Sequence, residues 1–179
     1  MSVGQCRSNM SNQTNTAAQL DTFVELVVQR LALAQDVATA KHASGEPVDD
    51  PIREQQILQS AACTLNATRV DYGVGVQFFR DQIEANKMIQ CGLLHRWDRH
   101  PQEIPASIPN LAAEIRPKLD RITTQIVQQF NCIEEIPRFG AEEITEVIDG
   151  RLSAMSPERQ LPGLYRDAAI FAMRSLCTS

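Results

Sequence analysis

The chain has 179 residues, a formal net charge of −5 at pH 7 and a pI near 5.2. This length suffices for one domain with a sizeable core, and the acidic balance argues against the basic surface that nucleic acids and anionic membranes require. No stretch approaches the roughly 18 consecutive apolar residues of a membrane span, so neither a nucleic acid nor a membrane is expected as a partner.

The amino terminus is the first segment with a distinct composition. Residues 1–18 are rich in Ser, Asn, Gln and Thr, which predicts a disordered arm, and residues 19–179 are expected to form a single domain. The arm lacks the apolar centre of a signal peptide. If the protein is secreted or periplasmic, its signal has therefore been removed from this chain.

Apolar residues recur at three- and four-residue steps along the rest of the chain, and strand signals are nearly absent, which predicts an all-α fold. Gly45 and Pro47 end the first helix, and Asp50 caps the second with Pro51 at its first position. The prolines within residues 99–110 exclude a helix there. The pattern predicts a helical domain with helices at about residues 20–43, 50–69, 71–97, 110–131, 141–155 and 157–177.

Two cations interrupt the apolar face of the first helix. Arg30 and Lys41 continue the three-four spacing of that face, whose apolar members are Phe23, Leu26, Leu33 and Val37. Two like charges on one buried face repel each other unless an anion compensates them. The sequence offers Asp49, Asp50 and Glu54 for that purpose, and a bound anionic ligand is the alternative.

Two amides interrupt the third helix in the same way. Asn86 and Gln90 occupy the central positions of an apolar seam formed by Val76, Phe79, Ile83, Leu93 and Trp97. A buried amide without a partner costs about 1–3 kcal/mol, so each amide needs a protein, water or ligand partner. In the simpler interpretation the two bond each other or fix the helix register.

The stretch DDPIREQQ, residues 49–56, opens the second helix. Its acids favour the positive end of the helix dipole, and Glu54 is accounted for by an exposed ion pair. Arg53 is poorly placed at a helix amino terminus unless it binds an anion there. Arg121 on the fourth helix borders an apolar stripe and, taken alone, is accounted for as an exposed arginine.

The cysteines do not show the spacing of a zinc site. Their odd number permits at most two disulfides with one thiol left over, and five reduced thiols are the alternative. They are Cys6, Cys63, Cys91, Cys132 and Cys177.

The polar residues on these helices resemble, in order and separation, the motif of the all-helical, type II chorismate mutases. The motif residues are Arg30, Lys41, Asp50, Arg53, Glu54, and Asn86 and Gln90 within QIEANKMIQ. The runs LALAQDVATAKHASGEPVDDPIREQQIL and FFRDQIEANKMIQ are similar to the secreted (gamma-type) subclass, and so is EIRPKLDRI, which carries Arg121. The likeness covers about residues 20–130.

The resemblance implies conversion of chorismate to prephenate by an intramolecular Claisen rearrangement that needs no cofactor and no metal. It implies that Arg30 and Arg121 grip one carboxylate of the substrate and that Arg53 helps with the other. Lys41 and Gln90 would donate hydrogen bonds to the ether oxygen.

The remaining motif residues have supporting roles in that family. The resemblance implies that Glu54 accepts a hydrogen bond from the substrate hydroxyl and that Asp50 contributes through its backbone and by orienting Lys41. Asn86 stands where the family often has a small hydroxyl residue and would contact a carboxylate.

The subclass further implies a homodimer in which each chain holds its own complete site, and a disulfide that ties the carboxyl-terminal helices, here Cys132 with Cys177. The alternative function is a secreted helical effector that keeps this scaffold and acts by binding another protein. A helical bundle whose cations are all satisfied internally is the third reading.

Overall fold

The computed structural model describes residues 3–65, 72–131, 138–155 and 161–178, and describes side chains from residue 16 onwards except 64 and 131. Short helical turns cover Pro101–Glu103, Leu111–Ile115 and Arg174–Leu176, the second of which is a π-helix. Within the described ranges there is no strand, only an isolated bridge between Phe139 and Cys177. The α-helices are α1 (Val3–Ala32), α2 (Ala34–Ser44), α3 (Pro51–Leu65), α4 (Tyr72–Arg99), α5 (Arg116–Asn131), α6 (Ala141–Ser153) and α7 (Pro162–Met173).

The predicted all-α fold is confirmed, with differences at the first helix. Helix α1 begins at Val3, within the segment 1–18 for which an arm is predicted, and no Pro or Gly stands between residues 5 and 32 to stop it. The predicted helix over residues 20–43 is two helices, because the Leu33 N–H donates to the Arg30 carbonyl at 3.2 Å, three residues back, instead of four.

The predicted helix boundaries around residue 48 follow from local chemistry. Gly45 adopts a left-handed conformation with φ of 71°, which closes α2, and its N–H donates to the Lys41 carbonyl. Asp50 caps α3, since its Oδ1 accepts from the Arg53 N–H at 3.0 Å. This short connection places the start of α3 beside the end of α2.

An aromatic cluster joins α1, α4 and α5, three of the helices that border the polar motif. Phe23 on α1, Phe78 on α4 and Phe130 on α5 are fully buried, and the Phe130 ring centroid lies 5.0 Å from that of Phe23 and 5.4 Å from that of Phe78. Burying one such side chain stabilises the fold by roughly 1.5–3 kcal/mol. The cluster therefore fixes how these helices face one another.

The carboxyl-terminal segment is held by backbone hydrogen bonds. The Phe139 N–H donates to the Leu176 carbonyl at 3.0 Å, and the Thr178 N–H donates to the Phe139 carbonyl at 2.9 Å. Cys177 is a free cysteine, so the expected disulfide is not formed there, and its expected partner Cys132 lies outside the described residues. In the ranges given above, no helix is long and apolar enough to cross a membrane.

Candidate active site

A cavity opens between α1, α2, α3, α4 and the start of α5. It holds about 570 Å³ of space free of protein atoms, including its open mouth. Its walls carry two acids, Asp50 and Glu54, against five cations. The excess of positive charge stands out in a chain of net charge −5 and suits a small anion. The cations are Arg30, Lys41, Arg53, Lys87 and Arg116.

Arg30 enters the cavity from α1 and is only 3% exposed. Its Nη1 donates to Thr123 Oγ1 at 2.9 Å and, more weakly, to the Leu119 carbonyl at 3.4 Å, while its buried Nε has no hydrogen-bond partner among the described residues. Burial lowers the pKa of the Arg30 guanidinium to about 10, although the negative charge of Asp120 opposes that change. The guanidinium thus has hydrogen-bonding capacity left for a ligand.

Lys41 enters from the last turn of α2 and is 5% exposed. Its Nζ donates to the Val48 carbonyl at 2.6 Å. Burial lowers the pKa of the Lys41 ammonium below its usual value, against the attraction of Asp50. The backbone between α2 and α3 therefore holds a buried ammonium that has no carboxylate as a hydrogen-bond partner among the residues described.

The acids that the sequence offered as counter-ions serve other cations. Asp50 Oδ2 accepts from Arg116 Nη2 at 3.3 Å. Lys87 Nζ lies 3.0 Å from Asp49 Oδ1 and 3.4 Å from Glu54 Oε1. Among the described residues, these acids therefore do not compensate the charges of Arg30 and Lys41 by contact.

The two amides of α4 bond each other and still keep unused groups. Gln90 Nε2 donates to Asn86 Oδ1 at 2.7 Å. Asn86 Nδ2 and Gln90 Oε1 are buried without a partner in the part of the chain that the structure describes. The hydrogen bond between the two amides agrees with the simpler interpretation, in which they bond each other. That interpretation leaves the Nδ2 donor group of Asn86 without an acceptor among the described residues.

Arg53 and Glu54 sit where α3 borders the cavity. Arg53 forms an ion pair with Asp120 of α5, and Glu54 Oε1 accepts a long hydrogen bond of 3.4 Å from the Asp50 N–H. Both residues lie in the wall of the cavity, beside its other charged side chains. Asp50 lies there too. Its carboxylate accepts hydrogen bonds from Arg53 and Arg116, and none joins that carboxylate to Lys41.

Arg121 is the sequence-predicted residue that the structure does not bring to the cavity. It is exposed and absent from the cavity wall, whereas Arg116 of the same helix lines it. Five residues of helix correspond to a rotation of about 140°, so the two side chains leave α5 on different faces. The prediction for Arg121 is therefore wrong in position, and Arg116 is the arginine of α5 that reaches the site.

Sequence reasoning also missed Lys87. It follows Asn86 directly, so it lies off the seam of α4, and two of its three carboxylate partners, Asp49 and Glu54, come from a separate segment of chain. Although burial acts to lower it, hydrogen bonds to Glu84 and Asp49 raise the pKa of Lys87 above its usual value. Among the described residues, no group of three His, Cys, Asp or Glu side chains could hold a metal ion.

Known proteins resemble this chain over most of its length. Residues 19–91 match the family model described as chorismate mutase type II. A secreted chorismate mutase of Mycolicibacterium smegmatis is 33% identical over 163 residues, which cover 90% of this chain and 87% of that protein. A secreted chorismate mutase of Mycobacterium tuberculosis is 25% identical over 160 residues, covering 89% and 79%.

A solved structure agrees with these relatives. The crystal structure of chorismate mutase from Burkholderia thailandensis matches with a TM-score of 0.74 and 28% identity, covering 89% of this chain and 99% of that one. The chain therefore belongs to the chorismate mutase type II family and, within it, to the secreted subclass.

Proposed function

We infer that the protein is a chorismate mutase, an isomerase that converts chorismate to prephenate by an intramolecular Claisen rearrangement. The observation that carries this inference is the pair of buried cations, Arg30 and Lys41, which have no carboxylate at contact distance among the described residues. A dianionic substrate supplies the missing negative charge. No observation specifically favours the alternative function, an effector without catalysis.

The arginines of the cavity would bind the two carboxylates of chorismate. Their planar forks donate two parallel hydrogen bonds to a carboxylate, which fixes its orientation as well as its position. We assign Arg30 and Arg116 to one carboxylate and Arg53 to the other, so that Arg116 takes the role that the resemblance had given to Arg121. Holding both groups selects the compact conformation in which the reacting carbons meet.

Lys41 and Gln90 supply the donors for the transition state. As the ether bond breaks, negative charge grows on its oxygen, and donors aimed there bind the transition state more tightly than the substrate. Lys41 Nζ keeps hydrogens beyond the one that Val48 accepts, and the Gln90 amide keeps one beyond the one donated to Asn86. Both groups line the same cavity.

The remaining residues orient the substrate. Glu54 would accept a hydrogen bond from the substrate hydroxyl, and the unused Nδ2 of Asn86 would donate to a carboxylate. Asp50 acts here as a positioning residue, since its carboxylate caps α3 at Arg53 and binds Arg116. Arg53 and Arg116 each bond a carboxylate of the protein in the structure, so substrate binding exchanges one anion for another.

The proposal also covers the location and the oligomeric state of the protein. The two mycobacterial relatives carry names that describe secreted proteins, and this supports a secreted or periplasmic location for the present chain. A homodimer with one complete site per chain is consistent with a cavity wall built from a single polypeptide. Light scattering on the purified protein measures the assembly directly.

The decisive assay incubates the purified protein with chorismate and follows the loss of its ultraviolet absorbance. We expect turnover, and we expect Lys41→Met to lower kcat by about 10²–10³, the effect of removing one donor to a developing oxyanion. Absence of turnover by the folded wild type would contradict the proposed function. Full activity of Lys41→Met would contradict the site assignment.

A further inference from the structure

The chain contains three lysines, and the structure puts them in three different environments. Lys118 is exposed on α5. Lys87 lies at the cavity wall but is bound by Asp49, Glu54 and Glu84 at 2.8–3.4 Å. Lys41 is buried in the same wall, and its hydrogen-bond partner is the neutral carbonyl of Val48.

These environments give the three amines different chemistry. A lysine reacts as a nucleophile only after losing a proton, and burial favours the neutral form. For Lys41, burial and Arg116 lower the pKa, while Asp50, Glu46 and Glu54 oppose the change. For Lys87, ion pairs keep the proton in place. The cavity wall therefore contains one buried amine whose hydrogen-bond partner is a neutral carbonyl and a second amine that is held by carboxylates.

The arginines of the cavity decide which electrophile reaches Lys41. Arg30, Arg53 and Arg116 share the cavity wall with it and would hold a carboxylate. A small molecule that carries a carbonyl group next to a carboxylate would be held by these arginines in the cavity whose wall includes Lys41. That description fits the 2-oxo acids.

We propose that Lys41 is a modification site that forms an imine with short 2-oxo acids. The amine attacks the carbonyl carbon, the C–O bond breaks and water leaves; starting from the ammonium, the products are a protonated imine and one water. No oxidant or reductant is needed. The modified enzyme loses the ammonium hydrogens that the proposed reaction uses and is inactive while the adduct lasts.

The proposed rearrangement would itself form a 2-oxo acid beside Lys41, and this extension of the inference rests on the proposed function. The rearrangement turns the ether oxygen, to which Lys41 donates, into the ketone oxygen of the product. The product is thus a 2-oxo acid whose carbonyl lies beside the Lys41 amine at the end of each turnover. Slow product release would then let part of the enzyme be trapped as the imine.

The test incubates the whole protein with pyruvate and sodium cyanoborohydride, which reduces an imine to a stable amine, and locates the adduct by mass spectrometry of peptides. We expect Lys41 to be modified at least about tenfold faster than Lys118, the low end of the enrichment that a charged cleft gives an oppositely charged ligand. Lys87 should stay unmodified. Equal labelling of Lys41 and Lys118, or no labelling of Lys41, would overturn the proposal.

Two lysine variants test whether the adduct forms at Lys41, and an ester of pyruvate tests whether the arginines direct it there. Lys41→Arg keeps the charge and should abolish the cavity adduct, and Lys118→Arg should leave it unchanged. Methyl pyruvate lacks the carboxylate and should label Lys41 no faster than Lys118; preferential labelling by the ester would overturn the role of the arginines. Chorismate turnover is measured separately, so a protein that forms the adduct without turnover refutes the proposed function and not this inference.

Discussion

Arg30 is kept charged in surroundings that disfavour its charge. Burial lowers the pKa of its guanidinium to about 10, and a change of more than two units corresponds to about 3 kcal/mol at 1.4 kcal/mol per unit. Below that pH the guanidinium is charged in both the folded and the unfolded chain, so burial destabilises the folded state by up to this amount. The hydrogen bond to Thr123 offsets part of it.

Replacing Arg30 with a neutral side chain of similar length should therefore separate stability from function. We expect Arg30→Met to raise the free energy of unfolding of the ligand-free protein by about 1–2 kcal/mol, because the variant removes the cost of burying a charge that has no carboxylate at contact distance among the described residues. Activity should fall by at least about 10², as one anchor of the substrate is lost. Urea denaturation and the chorismate assay measure the two effects, and a loss of stability in Arg30→Met would contradict the argument.

The amide of Gln90 leads to a prediction about how activity depends on pH. An amide donates hydrogen bonds at any pH, whereas a carboxyl group at this position donates only while it is protonated. We expect wild-type kcat/KM to be nearly flat from roughly pH 5 to 8, and Gln90→Glu to lose activity as pH rises and the carboxylate forms. The alkaline limit of the wild type should come from Lys41, whose lowered pKa makes it lose its proton below the usual range for lysine. A wild type that loses most of its activity between these pH values would refute the role of Gln90.

Helix α5 shows how an element decides which arginine reaches the cavity. Asn110 caps the π-helical turn, accepting from the Ala113 N–H at 2.9 Å, and Glu114 accepts from the Asn110 N–H at 3.0 Å. Pro117 has no N–H to donate to the Ala113 carbonyl, which removes one bond of the regular α pattern. The wider turn shifts the face on which the following residues project.

The family resemblance, and not the helical period, pointed to Arg121. Periodicity assigned Arg121 to the edge of an apolar stripe, and it does lie outside the buried face. The position of Arg116 depends on a turn that no periodic pattern predicts and on an ion pair with Asp50, which is remote in sequence. Interruptions within one helix are visible in a sequence, whereas contacts between helices are not.

The two arginines form a matched pair for mutagenesis on one helix. We expect Arg116→Ala to lower kcat/KM by about 10²-fold, since misplaced substrate reacts slowly. Arg121→Ala should change neither kcat/KM nor stability beyond about 0.5 kcal/mol, as is usual for exposed positions. Steady-state kinetics and thermal denaturation of both variants check the assignment. If Arg121→Ala were the impaired variant, the role proposed for Arg116 would be wrong.

At the scale of the whole molecule, the cavity exists only when several helices are packed. Arg30 and Lys41 could be assigned to a buried face from spacing alone, as could Asn86 and Gln90, because each of these residues interrupts the apolar pattern of the helical segment that carries it. The network of Lys87 could not be found in this way. It joins α4 to Asp49 and Glu54, residues that meet it only in the folded protein.

A ligand that binds this cavity should therefore stabilise the molecule as a whole. A non-reacting dicarboxylate analogue of the transition state, present at about 100 times its Kd, adds about 2.7 kcal/mol to the free energy of unfolding. For a chain of this size that raises Tm by about 5–10 °C. We expect thermal denaturation to show this shift in the wild type and in Lys118→Ala, and to show little of it in Arg30→Met at the same analogue concentration. An equal shift in Arg30→Met would mean that the dianion binds elsewhere, because the charge that this variant removes is one of the two buried charges that the folded chain leaves without a carboxylate partner among its described residues.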